Sequence, residues 1–162
     1  MNHFDENGSA RMVDVSGKAP TARTATARGS IFVSQAVMDA VLQRTVKKGD
    51  VLGVARVAGI MGVKQTANLI PMCHVLCIQK CSLDFETNPE KGEITAVCTV
   101  GLEGKTGVEM EALTGVTTAL LTIYDMCKAM DKEMVLSDIH LVEKTGGKSG
   151  VFRYGKENQK SE

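Results

Sequence analysis

The sequence predicts an α+β domain of the ferredoxin-like, split β-α-β type, with an antiparallel sheet and helices on one face. Three observations predict it. The predicted elements follow the order strand, helices, strand, strand, helix, strand. The two middle strands flank a turn at residues 88–92 and form an antiparallel hairpin. The chain has 162 residues with 43% hydrophobic content, which suits one core.

The first half of the chain predicts one strand and two helices. Residues 21–33 are rich in Thr, Ile and Val and predict a strand that ends at Val33. Ser34 is the N-cap candidate of a first helix, and Gly49 is predicted to end it. A second helix is predicted from Asp50, and it cannot continue past Pro71. Its predicted apolar stripe consists of Val51, Val54, Ala55 and Ala58.

The second half predicts the hairpin, the longest helix and a last strand. Residues 75–85 and 93–101 carry β-branched residues and predict the two hairpin strands. Residues 109 to about 130 predict a helix, and residues 135–142 a strand followed by a glycine-rich, flexible loop. The core-facing stripe of that helix is predicted to be Leu113, Val116, Leu120, Ile123 and Cys127.

Composition excludes several classes of protein. Nineteen basic residues offset 19 acidic ones, so there is no electrostatic basis for generic nucleic-acid binding. Trp is absent and aromatic content is 4%, which argues against base-stacking platforms. No apolar run is long enough to span a membrane. The five cysteines and the polar start predict free thiols in a reducing cytoplasm. We expect one catalytic domain over residues 11–155, with residues 1–10 and 156–162 disordered.

Two glycine-rich segments resemble the end of a phosphate-binding P-loop. They are Gly104-Lys105-Thr106 and Gly147-Lys148-Ser149. A P-loop requires a further glycine five residues earlier, where this chain has Thr99 and Val142, so the full motif is absent. Either loop could still present a lysine and backbone N–H groups to an anion, or be an ordinary surface turn.

The run Cys73, His74, Cys77 and Cys81 invites a zinc interpretation. In a strand, residues four apart are separated by about 13 Å and cannot share one ion, so no metal site is predicted. Cys77, Cys81 and Cys98 are instead predicted to be small buried hydrophobes. His74 lies at the joint between a helix and a strand, where it could face a cleft or be structural.

The longest helix has a polar stripe opposite its apolar one. Asp125 and Lys128 are three residues apart, close enough for an ion pair, and Glu111 falls near the same face. A second lysine nearby would lower the pKa of Lys128 and make it a usable acid or base. The alternative is a solvated helix face. Lys48, with Arg56 and Lys64 downstream, could bind a polyphosphate or form a basic edge.

Seven stretches of the chain, taken together and in order, carry a resemblance to a known family. They are Met12-Val13-Asp14-Val15-Ser16, Lys48-Gly49-Asp50-Val51, Ala58-Gly59-Ile60, Leu69-Ile70-Pro71-Met72-Cys73-His74, residues 104–114, residues 121–129, and residues 144–150. They resemble the MoaC family of cyclic pyranopterin monophosphate synthases, and the resemblance covers about residues 12–152. Two departures are visible. Met72 stands where the family commonly has Leu, and Val75 where it usually has Pro, which leaves the pose of His74 open.

The resemblance implies a reaction and an assembly. The family converts 3′,8-cyclo-7,8-dihydro-GTP to cyclic pyranopterin monophosphate with release of pyrophosphate, a lyase reaction of molybdenum cofactor biosynthesis. It also implies a homohexamer, a trimer of dimers, with the active site at a subunit interface. No cofactor is required, although Mg²⁺ could accompany the triphosphate.

The resemblance further implies roles for individual residues. Asp125, Lys128 and Lys48 match catalytic positions. Ten more match substrate-binding positions: Met72, Cys73, His74, Glu109, Met110, Glu111, Arg23, Lys64, Lys144 and Lys148. Two other classes stay open from the residues alone, a non-catalytic nucleotide-sensing module and a structural subunit of a larger assembly. Pyrophosphate release from the cyclised substrate discriminates the enzyme from the sensor, and an active purified homo-oligomer excludes the structural subunit.

Overall fold

A computed structural model describes residues 6–155 of the chain. Its elements are, in order, β1 Thr21–Phe32, α1 Gln35–Leu42, α2 Val51–Leu69, β2 Lys80–Asn88, β3 Glu93–Gly104, α3 Glu109–Cys127, β4 Val135–Thr145 and β5 Phe152–Arg153. The strand order in the sheet is β2-β3-β1-β4-β5, and each neighbouring pair is antiparallel. This order and the helices between the strands confirm the ferredoxin-like α+β prediction.

Alternation along the central strands decides which face of the sheet meets the helices. On β1, Ala25, Ala27 and Ile31 are fully buried, and their register partners on β3 are Val100, Cys98 and Ile94. The opposite face carries small polar pairs, among them Thr26 beside Thr99 and Ser30 beside Thr95. The core therefore lies between one face of the sheet and the helices.

The two long helices approach each other closely because glycines lie at their contact. A Cβ added to Gly59 on α2 would lie 2.8 Å from the carbonyl oxygen of Gly115 on α3 and 2.2 Å from a methyl of Leu83. A Cβ on Gly115 would lie 2.7 Å from Val63 and 2.8 Å from Cys98. Any side chain at either position would push the helices apart.

The predicted C-terminal end of α1 is wrong, and its predicted N-cap lacks a side-chain hydrogen bond. α1 ends at Leu42 and not at Gly49, because Arg44 adopts a left-handed φ of 56°. The amides of Arg44 and Thr45 bond to the carbonyls of Val41 and Ala40, a Schellman-type ending without glycine. Ser34 is the N-cap, yet its side chain makes no capping bond. Gly49 ends the following turn instead, with a φ of 98°.

Three further strand predictions need correction. β2 begins at Lys80 and not at residue 75, since its pairing with β3 starts only at Lys80 opposite Gly101. β3 and β4 each continue three residues beyond the predicted ends, to Gly104 and Thr145. β5 was not predicted, because two residues are too short for a periodic signal.

The helix predictions hold better. Asp50 caps α2 by accepting the amide of Gly53 at 3.0 Å, and α2 ends before Pro71 as predicted. Its apolar stripe was partly wrong: Val51 and Ala55 are buried, but Val54 is 47% exposed. On α3 the predicted stripe is buried except Leu113, which is half-buried, and the helix ends at Cys127 rather than near residue 130.

The predicted disorder of the termini stays a prediction. Residues 1–5 and 156–162 lie outside the described residues, and residues 6–10 are exposed. Within residues 6–155, no helix is both long and apolar enough to cross a bilayer.

Candidate active site

Two lysines converge on one carboxylate where α3 ends. Lys128 Nζ lies 2.7 Å from Asp125 Oδ1, and Lys48 Nζ lies 3.0 Å from Oδ2. Lys48 also donates to the backbone carbonyl of Asp125 at 2.8 Å. Lys48 comes from the turn before α2 and is 77 residues away in sequence. The structure thus brings together the three residues predicted to be catalytic.

The charge balance of this cluster differs from the prediction in one respect. The two lysines hold the pKa of Asp125 below its ordinary value, first through the hydrogen bonds from Lys128 and Lys48. The same carboxylate raises the pKa of Lys128, first through its hydrogen bond and then through its charge. The expectation of a lowered Lys128 pKa is therefore wrong for the isolated protomer, because the carboxylate 2.7 Å away favours the charged form of Lys128.

The exposure of Lys48, Asp125 and Lys128 indicates that their ion pairs are not there to stabilise the fold. The three side chains are about half exposed, at 48% for Lys48, 57% for Asp125 and 53% for Lys128. Exposed ion pairs contribute little to the free energy of unfolding. An ordered Lys-Asp-Lys arrangement at the surface is instead suited to exchanging protons with a bound molecule.

A cavity of about 290 Å³, the His74 cavity, lies at the opposite end of α3. Its walls are the segment after α2, the start of α3 and the segment before β1. Its lining residues are Val13, Val15, Lys18, Met72, Cys73, His74, Leu76, Thr106, Gly107, Glu109, Met110 and Glu111. Six of the predicted substrate-binding residues, in two separate sequence segments, therefore meet in one cavity.

Glu111 is the buried acid of the His74 cavity. It is 4% exposed, which corrects its assignment to the polar face of α3. Burial raises its pKa above the ordinary glutamate value, and the neighbouring charge of Glu109 adds to the effect. Burial likewise raises the pKa of the Cys73 thiol, with Glu111 contributing. This wall therefore favours neutral groups and can donate hydrogen bonds.

A second cavity of about 310 Å³, the basic cavity, adjoins the first. The two share Lys18, Thr106, Gly107 and Glu109. The basic cavity is lined by five cationic side chains and one carboxylate: Lys18, Arg23, Lys105, Lys144, Lys148 and Glu109. Both loops that resemble the end of a P-loop reach this cavity, so the interpretation as anion-presenting loops is favoured over that of ordinary turns.

Glycine is required where the second loop crosses Arg23. Gly147 has a φ of 77°, and a Cβ there would lie 1.8 Å from the guanidinium. The loop thus rests directly on Arg23, whose Nε donates to the carbonyl of Gly104 at 3.4 Å. Lys144 donates to Ser149 Oγ and to the carbonyl of Gly146. These contacts gather the cations of three segments around one space.

Some predicted residues lie elsewhere. Lys64 lines a third cavity with Lys80 and Cys81, away from the basic cavity. Arg56 donates to the carbonyl of Leu83 at 2.8 Å and lies over the ring of Phe85, so it binds the edge strand. Cys77 is exposed and Cys81 half-buried, which corrects their assignment as buried hydrophobes; only Cys98 of that set is buried. Residues 75–79 form no strand, which explains the exposure of Cys77.

Sequence reasoning missed several lining residues. Lys18, Val13, Val15 and Leu76 come from irregular segments, which have no periodicity to reveal their direction. Lys105 was visible only as part of an incomplete P-loop. Across the described part of the chain, no three or more His, Cys, Asp or Glu side chains are grouped to hold a metal ion.

The Lys-Asp-Lys cluster and the cavities are separated within one protomer. Residues 111 and 125 both belong to α3, and their 14-residue spacing corresponds to about 21 Å along its axis. Lys48, Asp125 and Lys128 line neither the His74 cavity nor the basic cavity. Within one protomer, the cluster and the two cavities are therefore separate sites.

Comparison with known proteins identifies the family of this chain. Residues 12–147 match the model of the MoaC family. A cyclic pyranopterin monophosphate synthase of Clostridium perfringens (strain SM101 / Type A) is 57% identical over 154 residues, 95% of this chain and 98% of the relative. Synthases of the same name from Desulfitobacterium hafniense and Limosilactobacillus fermentum are 59% and 54% identical, over 94% and 96% of this chain and 93% of each relative. The chain therefore belongs to the MoaC family.

Proposed function

We propose that this protein is a cyclic pyranopterin monophosphate synthase, which converts 3′,8-cyclo-7,8-dihydro-GTP to cyclic pyranopterin monophosphate and pyrophosphate in molybdenum cofactor biosynthesis. The observation that carries the proposal is the convergence of Lys48 and Lys128 on Asp125 within 3.0 Å. The relatives that bear this name cover almost the whole chain, which supports the same activity here.

The two halves of the site suit the two parts of the substrate. The five cations of the basic cavity match a triphosphate, whose charge must be neutralised when pyrophosphate leaves. The adjoining His74 cavity, with buried Glu111 and half-buried Cys73, matches a largely neutral ring system with hydrogen-bonding edges. A molecule with both parts would span the boundary at Glu109.

Each chemical step requires a proton to move. Rearranging the purine-derived rings breaks and forms carbon–nitrogen bonds, with protons leaving and arriving at nitrogen and oxygen. Closing the cyclic phosphate requires a hydroxyl oxygen of the substrate to bond to the α-phosphorus while the bond to pyrophosphate breaks. The hydroxyl proton then needs an acceptor. Lys48, Asp125 and Lys128 are proposed to supply and accept these protons.

We further propose that the complete site forms between two copies of the chain in a homohexamer, a trimer of dimers. The axial separation of about 21 Å between the cluster and the cavities of one protomer supports this, since a partner's cluster could cover the cavities. The outward face of α2 also carries exposed Val54, Val57 and Met61, which a second copy would bury. Contact with substrate and removal of water would then change the protonation of Lys128.

The proposal includes no resident cofactor. Mg²⁺ would enter with the triphosphate and not through a dedicated carboxylate site. A cytoplasmic location is proposed, where GTP and reduced thiols are available.

The experiment is to supply the purified protein with the cyclised GTP derivative and follow pyrophosphate and pterin product together. Equal amounts of both products are expected. Binding of the substrate without pyrophosphate release would contradict the proposal and favour a nucleotide-sensing module. The matched control is the Lys48→Ala protein under the same conditions.

A further inference from the structure

The segment before β1 is held by two side chains, one lining the His74 cavity and one lining the basic cavity. His74 Nε2 lies 2.8 Å from the carbonyl oxygen of Val13. Lys105 Nζ lies 2.7 Å from the carbonyl oxygen of Ser16. Residues 13–18, called here the strap, contain no helix or strand, so contacts of this kind set their position.

The strap also carries its own short-range order. The amide of Ser16 donates to Asp14 Oδ1 at 2.8 Å, and the amide of Lys18 donates to the carbonyl of Val15 at 3.1 Å. These turns place Val13, Val15 and Lys18 on one wall of the cavity. The strap is thus a built wall of the site and not merely a leader to β1.

The contact with Val13 decides which nitrogen of His74 carries the proton. A backbone carbonyl can only accept a hydrogen bond, so Nε2 must be the donor. On the neutral imidazole the other nitrogen, Nδ1, is then an acceptor. A phosphate oxygen is itself an acceptor and is a poor partner for that atom.

We propose that the strap is a positioning segment: Val13 fixes the Nε2-protonated form of His74, and Lys105 holds the strap in place. His74 then selects a donor group of the ligand, such as a ring N–H or a hydroxyl, and the phosphates are left to the basic cavity. Toward His74, Lys105 acts through the strap and is a positioning residue, although its side chain also lines the basic cavity. The effect on turnover rests on the proposed function, whereas the effects on the free protein do not.

The test uses nuclear magnetic resonance on the full-length protein without ligand. In the wild type the Nε2–H proton of His74 is expected to exchange slowly with water and give a distinct resonance, because it is held by the carbonyl of Val13. Lys105→Met keeps the aliphatic stem but removes the donor to Ser16. We expect the amides of Ser16 and Lys18 to exchange about tenfold faster in this variant.

Two control variants test whether the effect belongs to the contact between Lys105 and Ser16. Lys105→Arg keeps a donor and a charge, and it is expected to restore slow exchange. Lys91→Met removes an exposed lysine from the β2–β3 turn and is expected to change nothing. Deleting residues 1–15 removes Val13 and is expected to abolish the Nε2–H resonance, whereas deleting residues 1–9 keeps it.

Two outcomes would overturn the inference. If the amides of Ser16 and Lys18 in Lys105→Met exchange at rates within about twofold of the wild type, Lys105 does not hold the strap. An Nε2–H resonance that persists after deletion of residues 1–15 would show that Val13 does not fix the proton of His74. A synthase assay then adds a separate readout, with a raised KM expected for Lys105→Met.

Discussion

Asp125 holds Lys48 by two atoms at once, its carboxylate oxygen at 3.0 Å and its backbone carbonyl at 2.8 Å. The backbone contact does not involve the Asp125 side chain. The position of Lys48 is therefore partly independent of the carboxylate, whereas Lys128 depends on it through a single ion pair at 2.7 Å. The two lysines should respond differently to the same substitution.

We predict that Asp125→Asn lowers the pKa of Lys128 toward the ordinary lysine value. The carboxylate is what raises that pKa, so its removal takes away the cause. Because the folded-state pKa of Lys128 is raised, its ion pair stabilises the fold at neutral pH and the contribution is lost as the pH rises through the folded value. Nitrogen-15 titration of the Lys128 side chain measures the change. An unaltered titration would show that the carboxylate does not control Lys128.

Replacing Lys48 or Lys128, the proposed catalytic lysines, should slow turnover strongly without unfolding the protein. Lys48→Ala and Lys128→Ala are expected to lower kcat by about 10²–10⁴, the usual contribution of a general acid or base. The half-exposed side chains contribute little to stability, so the melting temperature should stay close to that of the wild type. Pyrophosphate release and thermal unfolding are the two measurements. Lys91→Ala is the control, and rates near normal in either site variant would refute its role.

Inactive variants from the two halves of the site should complement each other if the site is shared between subunits. Co-expressed Lys128→Ala and Arg23→Ala chains would mix, and a mixed pair of chains has one site with both halves intact. About a quarter of the wild-type activity is expected from random mixing. The control combines Lys48→Ala with Lys128→Ala, which alter the same half and should not complement. No recovery in the first mixture would place the whole site within one chain.

Glu111→Gln should stabilise the protein near neutral pH. Burial raises the pKa of Glu111, so the folded state binds a proton more readily than the unfolded chain. Its contribution to stability is therefore most favourable at low pH and falls as the pH rises through the unfolded and then the folded pKa. The melting temperature of Glu111→Gln is expected to exceed that of the wild type at about pH 7, with the difference shrinking toward about pH 4. A difference that does not depend on pH would show that burial of the charge is not the cause.

Gly59→Ala should destabilise the α2–α3 contact. Its new methyl would lie 2.8 Å from the Gly115 carbonyl, which cannot move aside as a side chain can. Overpacking of this kind costs about 1–3 kcal/mol, or roughly 2–4 °C in melting temperature per kcal/mol for a domain of this size. Thermal or urea unfolding measures it. Gly17→Ala is the matched control, because a Cβ there meets no atom within 4 Å.

The elements that could be predicted are those whose signal is local. The cap at Asp50, the limit at Pro71 and the apolar stripe of α3 each follow from the chemistry of a few neighbouring residues, and the structure confirms them. The end of α1 could not be predicted, since its left-handed residue is Arg44 and not a glycine. The start of β2 is set by its hydrogen-bonded pairing with β3. The sequence of residues 75–79 does not show where that pairing begins.

By itself the sequence determined the fold class, because the periodicity of strands and helices is a local property of the chain. It also determined the family and the thirteen candidate residues, because the motifs that identify them are contiguous. Only the tertiary structure decided that Lys48 meets Asp125 and that both glycine-rich loops reach one cavity. It also decided that Glu111 is buried and that His74 is tied to Val13. The physical reason is that hydrogen bonds and burial depend on distances in space, and folding sets those distances through the packing of α2, α3 and the sheet.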